Sequence, residues 1–557
     1  MEKRVILAFV LSFAVLYAFR ALYSPPPASE PAPTEQSTPA VPANKPSPAP
    51  LPNQPEQKTG APASASTPAT TPPPAQDLHA EKSEDFVMET PLYVATFSNV
   101  GGVLRSIKLK MYTDGEGHPL ELIDEKSGTR VGWPLSITTG DQKVDEEVNR
   151  AQFVGRKDGE SLSLEFAGNG IHARKILQFD PANYLFSLQT SLTKDGKPVP
   201  HYIDWRGGFG DQSIPQDPAK KNAVYQTDSA FKRVNLRGMK DQEQAFTTVR
   251  GGVDDQYFLG IFLMPDNPVQ LKVRKQEYPG PDAKTQIPAL WVSALVPEDR
   301  PFRVYVGPKQ RDWLSKADPP LGGALDYGYF EFIARPLVFC LLWIHSYIGN
   351  FGWAIILLTI VLNTVMFPLR LKQQVSMLKM QKIQPQMRRL QDQYKKLKAT
   401  DERRPEVQKQ MMNLYKEHGV NPMGGCLPLL LQMPLLFGFY SALSYSIELR
   451  RAPWIFWIKD LSQYDPYYVI PIMMAVAMVI QQKLTPTANV DPAQAKMMMI
   501  MPVLFTFMFL YYSSGLALYW LTSNVIGIVQ QVFINKYWSP HAEAKLNDRK
   551  PKEARGT

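Results

Sequence analysis

Starting at Leu357 the chain reads LLTIVLNTVMFPLRLKQQ, an apolar run in which Thr359, Asn363 and Arg370 stand four and seven residues apart. On a helix those offsets bring a hydroxyl, a carboxamide and a guanidinium onto one face. Such a row offers donors and acceptors to a polar chain held among apolar neighbours. Two helix-packing polar residues followed by an arginine that snorkels to a membrane edge explain the same row.

Other apolar segments repeat the pattern. Gln432, Tyr440, Ser441 and Ser444 interrupt one, and Tyr519, Thr522, Ser523 and Asn524 another, with Tyr519 and Ser523 on one helical face. Each can be absorbed by a separate interhelical hydrogen bond, but their recurrence on several helices suggests a hydrated inner surface. Glycine loops of the two common phosphate-cradling types are absent, so nucleotide hydrolysis is not indicated. The 7 histidines lack metal-ligand spacing, and Cys340 and Cys426, in apolar stretches, imply no disulfide framework. No cofactor is expected.

Those polar residues need a membrane-spanning frame, and the composition divides accordingly. The mean hydropathy of −0.23 averages a polar region over 24–316 with apolar blocks over 330–535. Residues 1–23 have a basic start and a long apolar run without a clean cleavage site, which favours a retained anchor over a signal peptide. Residues 24–83 form a tether, with 17 prolines between 25 and 74, too rich in Pro and Ala to build a core. From 84 to 316, alternating runs such as NYLFSLQTSL and RPFRVYV, separated by turn signals such as NVGG and KDGK, predict a β-sandwich. Its acidic and histidine residues show no spacing that singles out a catalytic pair.

Five further spans are predicted near 350–369, 427–447, 467–482, 497–512 and 516–535, making six in a multi-pass α-helical membrane protein. The fourth and fifth apolar runs are short, which favours a thinned bilayer. Between Arg370 and Glu417 there are 13 Lys+Arg against 5 Asp+Glu. Lys/Arg excess marks cytoplasmic loops, and it stays inside only if the segment 325–349 lies flat as an interfacial amphipathic helix. Both termini, including the basic tail 539–557, then lie in the cytoplasm. Residues 371–417 read as a helical hairpin, with Asp401 capping its second helix and Gly419 ending it. Its Lys379, Lys382, Arg388, Arg389, Lys395 and Lys396 could meet ribosomal RNA or anionic lipid, or be a solvated face. Met377, Met380, Met387 and Met411 could contact varied apolar partners or pack the hairpin seam.

NPMGGCLPLLLQMP from Asn421, ELRRAPWIFWIKDLSQYDPYY from Glu448 and SSGLALYWLTSNVIGIVQQ from Ser513 resemble the bacterial YidC insertases of the YidC/Oxa/Alb family, over about residues 325–538. The anchor, tether and β domain resemble the Gram-negative branch, whose periplasmic domain is a β-supersandwich of largely non-catalytic role. The resemblance implies a five-helix insertase core over 350–538. Its hydrophilic groove opens to cytoplasm and lipid, is closed toward the periplasm, and is lined here by Thr359, Asn363, Arg370, Gln432, Tyr519 and Ser523. It implies a non-enzymatic insertase and chaperone of the bacterial inner membrane, whose partners are nascent membrane proteins, the ribosome, the Sec translocon with its accessory subunits and membrane lipids, but not DNA. The family usually has an arginine where this chain has Asn363. Arg370, seven residues on, would then supply part of that charge from the groove mouth, or simply snorkel. A solute transporter, which would want an internal repeat, and a tethered periplasmic sugar-binding protein or enzyme are the competing classes.

Overall fold

Period-two alternation builds the first half of the chain. In the strand Ile171–Phe179, Ile171, Ala173, Leu177 and Phe179 point inward and are buried. The computed structural model describes residues 77–538, except 215–219, 229, 240–242, 265–266, 281–285, 297–299, 399–400, 419–426 and 485–491. Side chains at 375, 395, 427–431 and 492–498 also fall outside the described set. The anchor 1–23, most of the tether, the tail 539–557, the Gly419 cap and Cys426 therefore lie outside the described residues.

The predicted sandwich is a three-sheet assembly in which every described strand pairing is antiparallel. A ten-stranded sheet carries Phe258–Leu263 and Phe302–Pro308 side by side near its middle. A five-stranded sheet runs in the order Glu243–Thr248, Val269–Pro279, Gln286–Leu295, Tyr202–Trp205, Ser136–Thr138. Their inner faces share one core, in which the Trp205 ring meets Phe262 edge-on at 6.1 Å. A four-stranded sheet joins the same core through Phe97, 5.7 Å from Phe179. The KDGK turn is a two-residue hairpin connection, with Asp195 and Gly196 both at positive φ. Three short helices decorate the sheets: α1 (Glu125–Val131), α2 (Gln142–Arg150) and α3 (Arg311–Lys316).

The second half is helical: α4 (Glu331–Ile348), α5 (Phe351–Lys396), α6 (Arg403–Glu417), α7 (Leu427–Tyr445), α8 (Val469–Leu484), α9 (Pro492–Phe509) and α10 (Ser514–Phe533). The predicted spans from 350 onward thus each fall on a helix. Asn350 starts α5 by accepting the Gly352 and Trp353 amides at 3.0 and 3.2 Å. The 46 residues of α5 rise about 1.5 Å each, so the helix far outruns a hydrocarbon core about 30 Å thick. The first hairpin helix is therefore the continuation of a span, with Pro368 and Pro385 inside it. The N-cap of α6 is Glu402, without a side-chain cap bond, rather than the expected Asp401; Asp401 stands one residue earlier, where its Oδ1 accepts the Arg403 amide at 3.0 Å.

Of the described helices, three are long and apolar enough to cross a membrane: residues 328–348, 351–394 and 514–538. Residues 469–484 and 499–509 are shorter apolar helices. The first of the three contains α4, which length and composition alone admit as a span. It buries Ala334, Leu337, Val338, Leu341 and Ile344 and exposes Phe332, Phe339, Trp343 and Tyr347.

One of the charges buried inside the β domain is a lysine. Lys175 occupies an inward position of its strand and donates to the carbonyls of Gly101, Gly102 and Leu135 at 2.7–2.9 Å. Burial pushes its ammonium down to about 7. Below that pH both folded and unfolded chains hold the proton. Above it, up to the unfolded value near 10.4, only the unfolded chain does, so stability rises with pH. Relative to Lys175→Met, the wild-type β domain should therefore gain up to about 1.4 kcal/mol per pH unit from pH 7 toward 10. Hydrogen exchange of its strand amides at several pH values measures this, and a flat difference contradicts it.

Candidate functional site

The polar row of α5 closes on itself and on α10. Thr359 Oγ1 donates to the Ile355 carbonyl at 2.6 Å, so its hydroxyl is satisfied within the helix. Asn363 Nδ2 likewise donates to the Thr359 carbonyl at 2.8 Å, which leaves Oδ1 to take other donors. That oxygen accepts from Arg370 Nη2 at 2.8 Å and from Ser523 Oγ at 3.3 Å. Long helical side chains lean toward the helix N-terminus. Arg370 follows that lean, and its guanidinium lies back against Asn363 rather than toward the C-terminal end of α5. Gln530 completes the group: its Oε1 accepts from Arg370 Nη1 at 2.6 Å, and its Nε2 donates to the Asn363 carbonyl at 3.1 Å.

The acceptors around Arg370 are neutral, and among the described residues no carboxylate pairs with it. The β domain treats buried cations differently. Arg233 and Lys309 share Asp254 at 2.6 and 2.5 Å. Gly527 lets the groups approach: a Cβ there would stand 2.6 Å from Gln481 Nε2 of α8 and 3.5 Å from Arg370 Nη1.

Gln432 and Tyr519 form a separate pair. Gln432 Nε2 donates to the Tyr519 hydroxyl at 2.9 Å, and that ring stacks on Phe439 at 4.0 Å. Tyr519 lies one turn before Ser523 on α10, and both it and Thr359 are fully buried, whereas Asn363 is 5% exposed. Of the six residues expected to line one surface, Asn363, Arg370 and Ser523 meet directly, Gln432 and Tyr519 form the next layer, and Thr359 is tied to its own backbone. Sequence reasoning missed Gln530, although it follows Ser523 by seven residues, as Arg370 follows Asn363.

At the end of the bundle facing the β domain, the segment 446–468 closes over the helix starts. The Leu461 and Gln463 carbonyls accept the Gly515 and Ser514 amides at 2.9 and 2.6 Å, seating α10. Asn350 Nδ2 donates to the Pro453 and Trp454 carbonyls at 3.2 Å, seating α5. Asp465 takes the Ile470 amide at 2.8 Å on one oxygen and Trp457 Nε1 at 3.0 Å on the other, seating α8. Leu449, Ala452, Ile458 and Leu461 are buried in the bundle's core.

At the opposite end, α5 and α6 pack through Leu378, Ile383, Met387 and Val407. Met387 thus belongs to the seam. Lys382, Arg388, Arg389 and Lys396 are exposed and Lys379 half-buried, while the Lys395 side chain is outside the described set. Between the two helices opens a cleft of about 460 Å³, lined by carboxamides from Gln386, Gln393, Gln410 and Asn413 between Arg389 and Glu417.

Residues 343–541 match the family described as the 60Kd inner membrane protein, and residues 86–340 match the YidC periplasmic domain. A membrane protein insertase YidC of Geobacter sp. strain M21 is 37% identical, over 82% of this chain and 86% of its own length. One from Geotalea daltonii is 35% identical over 96% of this chain and 99% of its own. The crystal structure of an active YidC insertase with its first transmembrane domain resolved covers 83% of this chain and 95% of its own, at 21% identity and a TM-score of 0.36.

Gln530→Ala removes one acceptor from Arg370 and the donor to the Asn363 carbonyl, and should destabilise the bundle by about 1–3 kcal/mol. Gln530→Glu keeps the acceptor for the guanidinium as a carboxylate but loses the donor to the Asn363 carbonyl, so it should cost less than Gln530→Ala. Thermal unfolding of the detergent-solubilised protein checks the order of the two variants.

Proposed function

The chain belongs to the family of YidC membrane protein insertases, and from that premise we propose that it passes polar segments of nascent membrane proteins through a wet groove in its bundle. Apolar segments leave sideways into lipid. No nucleotide is hydrolysed, and the protein is not an enzyme. The observation that carries the proposal is the Arg370 guanidinium, held against Asn363 and Gln530 by neutral oxygens, with no carboxylate on it among the described residues. In this chain Arg370 supplies, by its reach, the charge that relatives place at the position of Asn363. The wet part of the groove begins at the half-buried Arg370, because Thr359, Tyr519 and Asn363 are packed.

Magnitudes favour an insertase driven by its substrate. Twenty leucine-like residues gain roughly 6–12 kcal/mol on entering lipid. One unshielded charge at the bilayer centre costs about 2.5–3.5 kcal/mol on insertion scales, and the membrane potential contributes about 2.3 kcal/mol per charge per 100 mV. Short tails with few charges are therefore inserted downhill, and what must be lowered is the barrier. A cation among dipoles lowers it for carboxylates, which it can meet without first losing a partner of its own.

The cytoplasmic hairpin, through Lys379, Lys382, Arg388, Arg389, Lys395 and Lys396, recruits ribosome-bound chains. The β domain lies in the periplasm, 325–349 lies along the outer membrane surface, and six spans leave both termini in the cytoplasm. The Sec translocon and its accessory subunits, and anionic lipid, are the further partners of this arrangement. The segment 446–468 shuts the groove on the periplasmic side.

Arg370→Ala should lower insertion of a substrate with an acidic translocated tail roughly tenfold or more, and leave a neutral-tailed substrate within about twofold. Asn363→Arg in the Arg370→Ala background should restore the acidic-tailed substrate, since it returns the charge to the same place. Reconstituted liposomes with protease-protected tails as readout measure both. Equal loss for both tails contradicts the proposal.

A further inference from the structure

The segment 446–468 is gripped from both sides. Its bundle side seats three helix starts, and its other side enters the β domain. Ile447 is buried in the core shared by the sheets, although it belongs to the loop after α7. Arg450 is the deeper insertion. Its Nε donates to Asp211 Oδ2 at 2.5 Å, Nη1 to the Thr113 carbonyl at 3.0 Å and Nη2 to Ser213 Oγ at 3.2 Å. Both charges of the pair are all but sealed from solvent, at 4% and 1% exposure of their side chains. Asp211 is itself held in place: its Oδ1 accepts from Ser213 N and Oγ at 2.9 and 2.6 Å, and its amide donates to Asp255 at 3.0 Å. The next residue, Arg451, reaches the same Ser213 hydroxyl at 3.2 Å and donates its amide to Asp460 at 3.0 Å. Arg451 holds a left-handed backbone, φ +57°, which side chains disfavour and which only over-determined surroundings retain. Gln256 of the β domain adds a bond to the Ser444 carbonyl at the end of α7.

We propose that Arg450 and Asp211 are positioning residues, through which the β domain locks the plug 446–468 over the outer end of the bundle. Breaking a buried ion pair on one side leaves an uncompensated charge, so the lock fails on loss of either partner. The strained turn at Arg451 then relaxes, and the carbonyls of Leu461 and Gln463 leave the start of α10. The β domain in this view performs no step of insertion and keeps the bundle tight to ions. This rests on the groove being shut on the β-domain side, as proposed above.

The test uses the full-length protein in lipid, with Arg450→Ala and Asp211→Asn, and three readouts. Exchange of the Ser514 and Gly515 amides should speed by about a hundredfold or more in both variants. Efflux of a trapped ion from sealed proteoliposomes should rise with it. Strand amides at Phe262 and Val304 should keep their protection, and if Arg450→Ala lowers it, Arg450→Lys, which keeps the charge and loses the fork, takes its place. Unchanged amides and tight vesicles overturn the proposal, as does loosening by the Arg450 variant alone, since the lock then does not run through the β domain. A cysteine at position 370 in an otherwise wild-type chain separates the two readings. If it is not labelled from the cytoplasmic side, the groove fails while the exchange result still decides the lock.

Discussion

A guanidinium inside a helical bundle must be held by something, and here it is held by dipoles. The Asn363 and Gln530 side-chain oxygens take two of the Arg370 donors, and no described carboxylate takes the charge. Dipoles orient and stabilise a cation without cancelling it, so the site keeps a net positive potential that a paired arginine would lose. That constraint explains the company Arg370 keeps. Gly527 leaves room for Gln481 of α8 beside it, and Asn363 bonds back to Thr359 while its oxygen takes the guanidinium.

The two halves of the molecule handle buried charge in opposite ways. In the β domain each buried group named above has a counter-charge or a full set of acceptors: Arg233 and Lys309 meet Asp254, Arg450 meets Asp211, and Lys175 meets three carbonyls. Such networks rigidify, because each member is costly to separate from the rest. In the bundle, Arg370 meets neutral acceptors and, among the described residues, no carboxylate.

Much of this was legible in the chain itself. The apolar blocks fell on helices, the alternating runs on strands, and KDGK on a two-residue turn, because period and turn chemistry are local properties. The row Thr359, Asn363, Arg370 could be placed on one helical face for the same reason. Which way Arg370 points could not, since snorkelling and reaching back use the same residue at the same position. Gln530 decides it from another helix, more than a hundred residues away in sequence. Tyr519, expected on the same surface as Asn363, is instead buried by stacking on Phe439, a contact that spacing does not carry.

The third sheet and the grip on the outer loop were likewise out of reach, since an antiparallel pairing map depends on which strands meet across the core. Ile447 and Arg450 read as ordinary members of a loop, and only the folded chain sets them inside a domain that begins over three hundred residues earlier. The sequence by itself determined the parts: an apolar helical half, a β half, a basic hairpin and one polar row with a misplaced arginine. Tertiary structure decided what the charges do. Whether a cation is cancelled or left available depends on the groups within a few ångströms of it, and no local pattern encodes those.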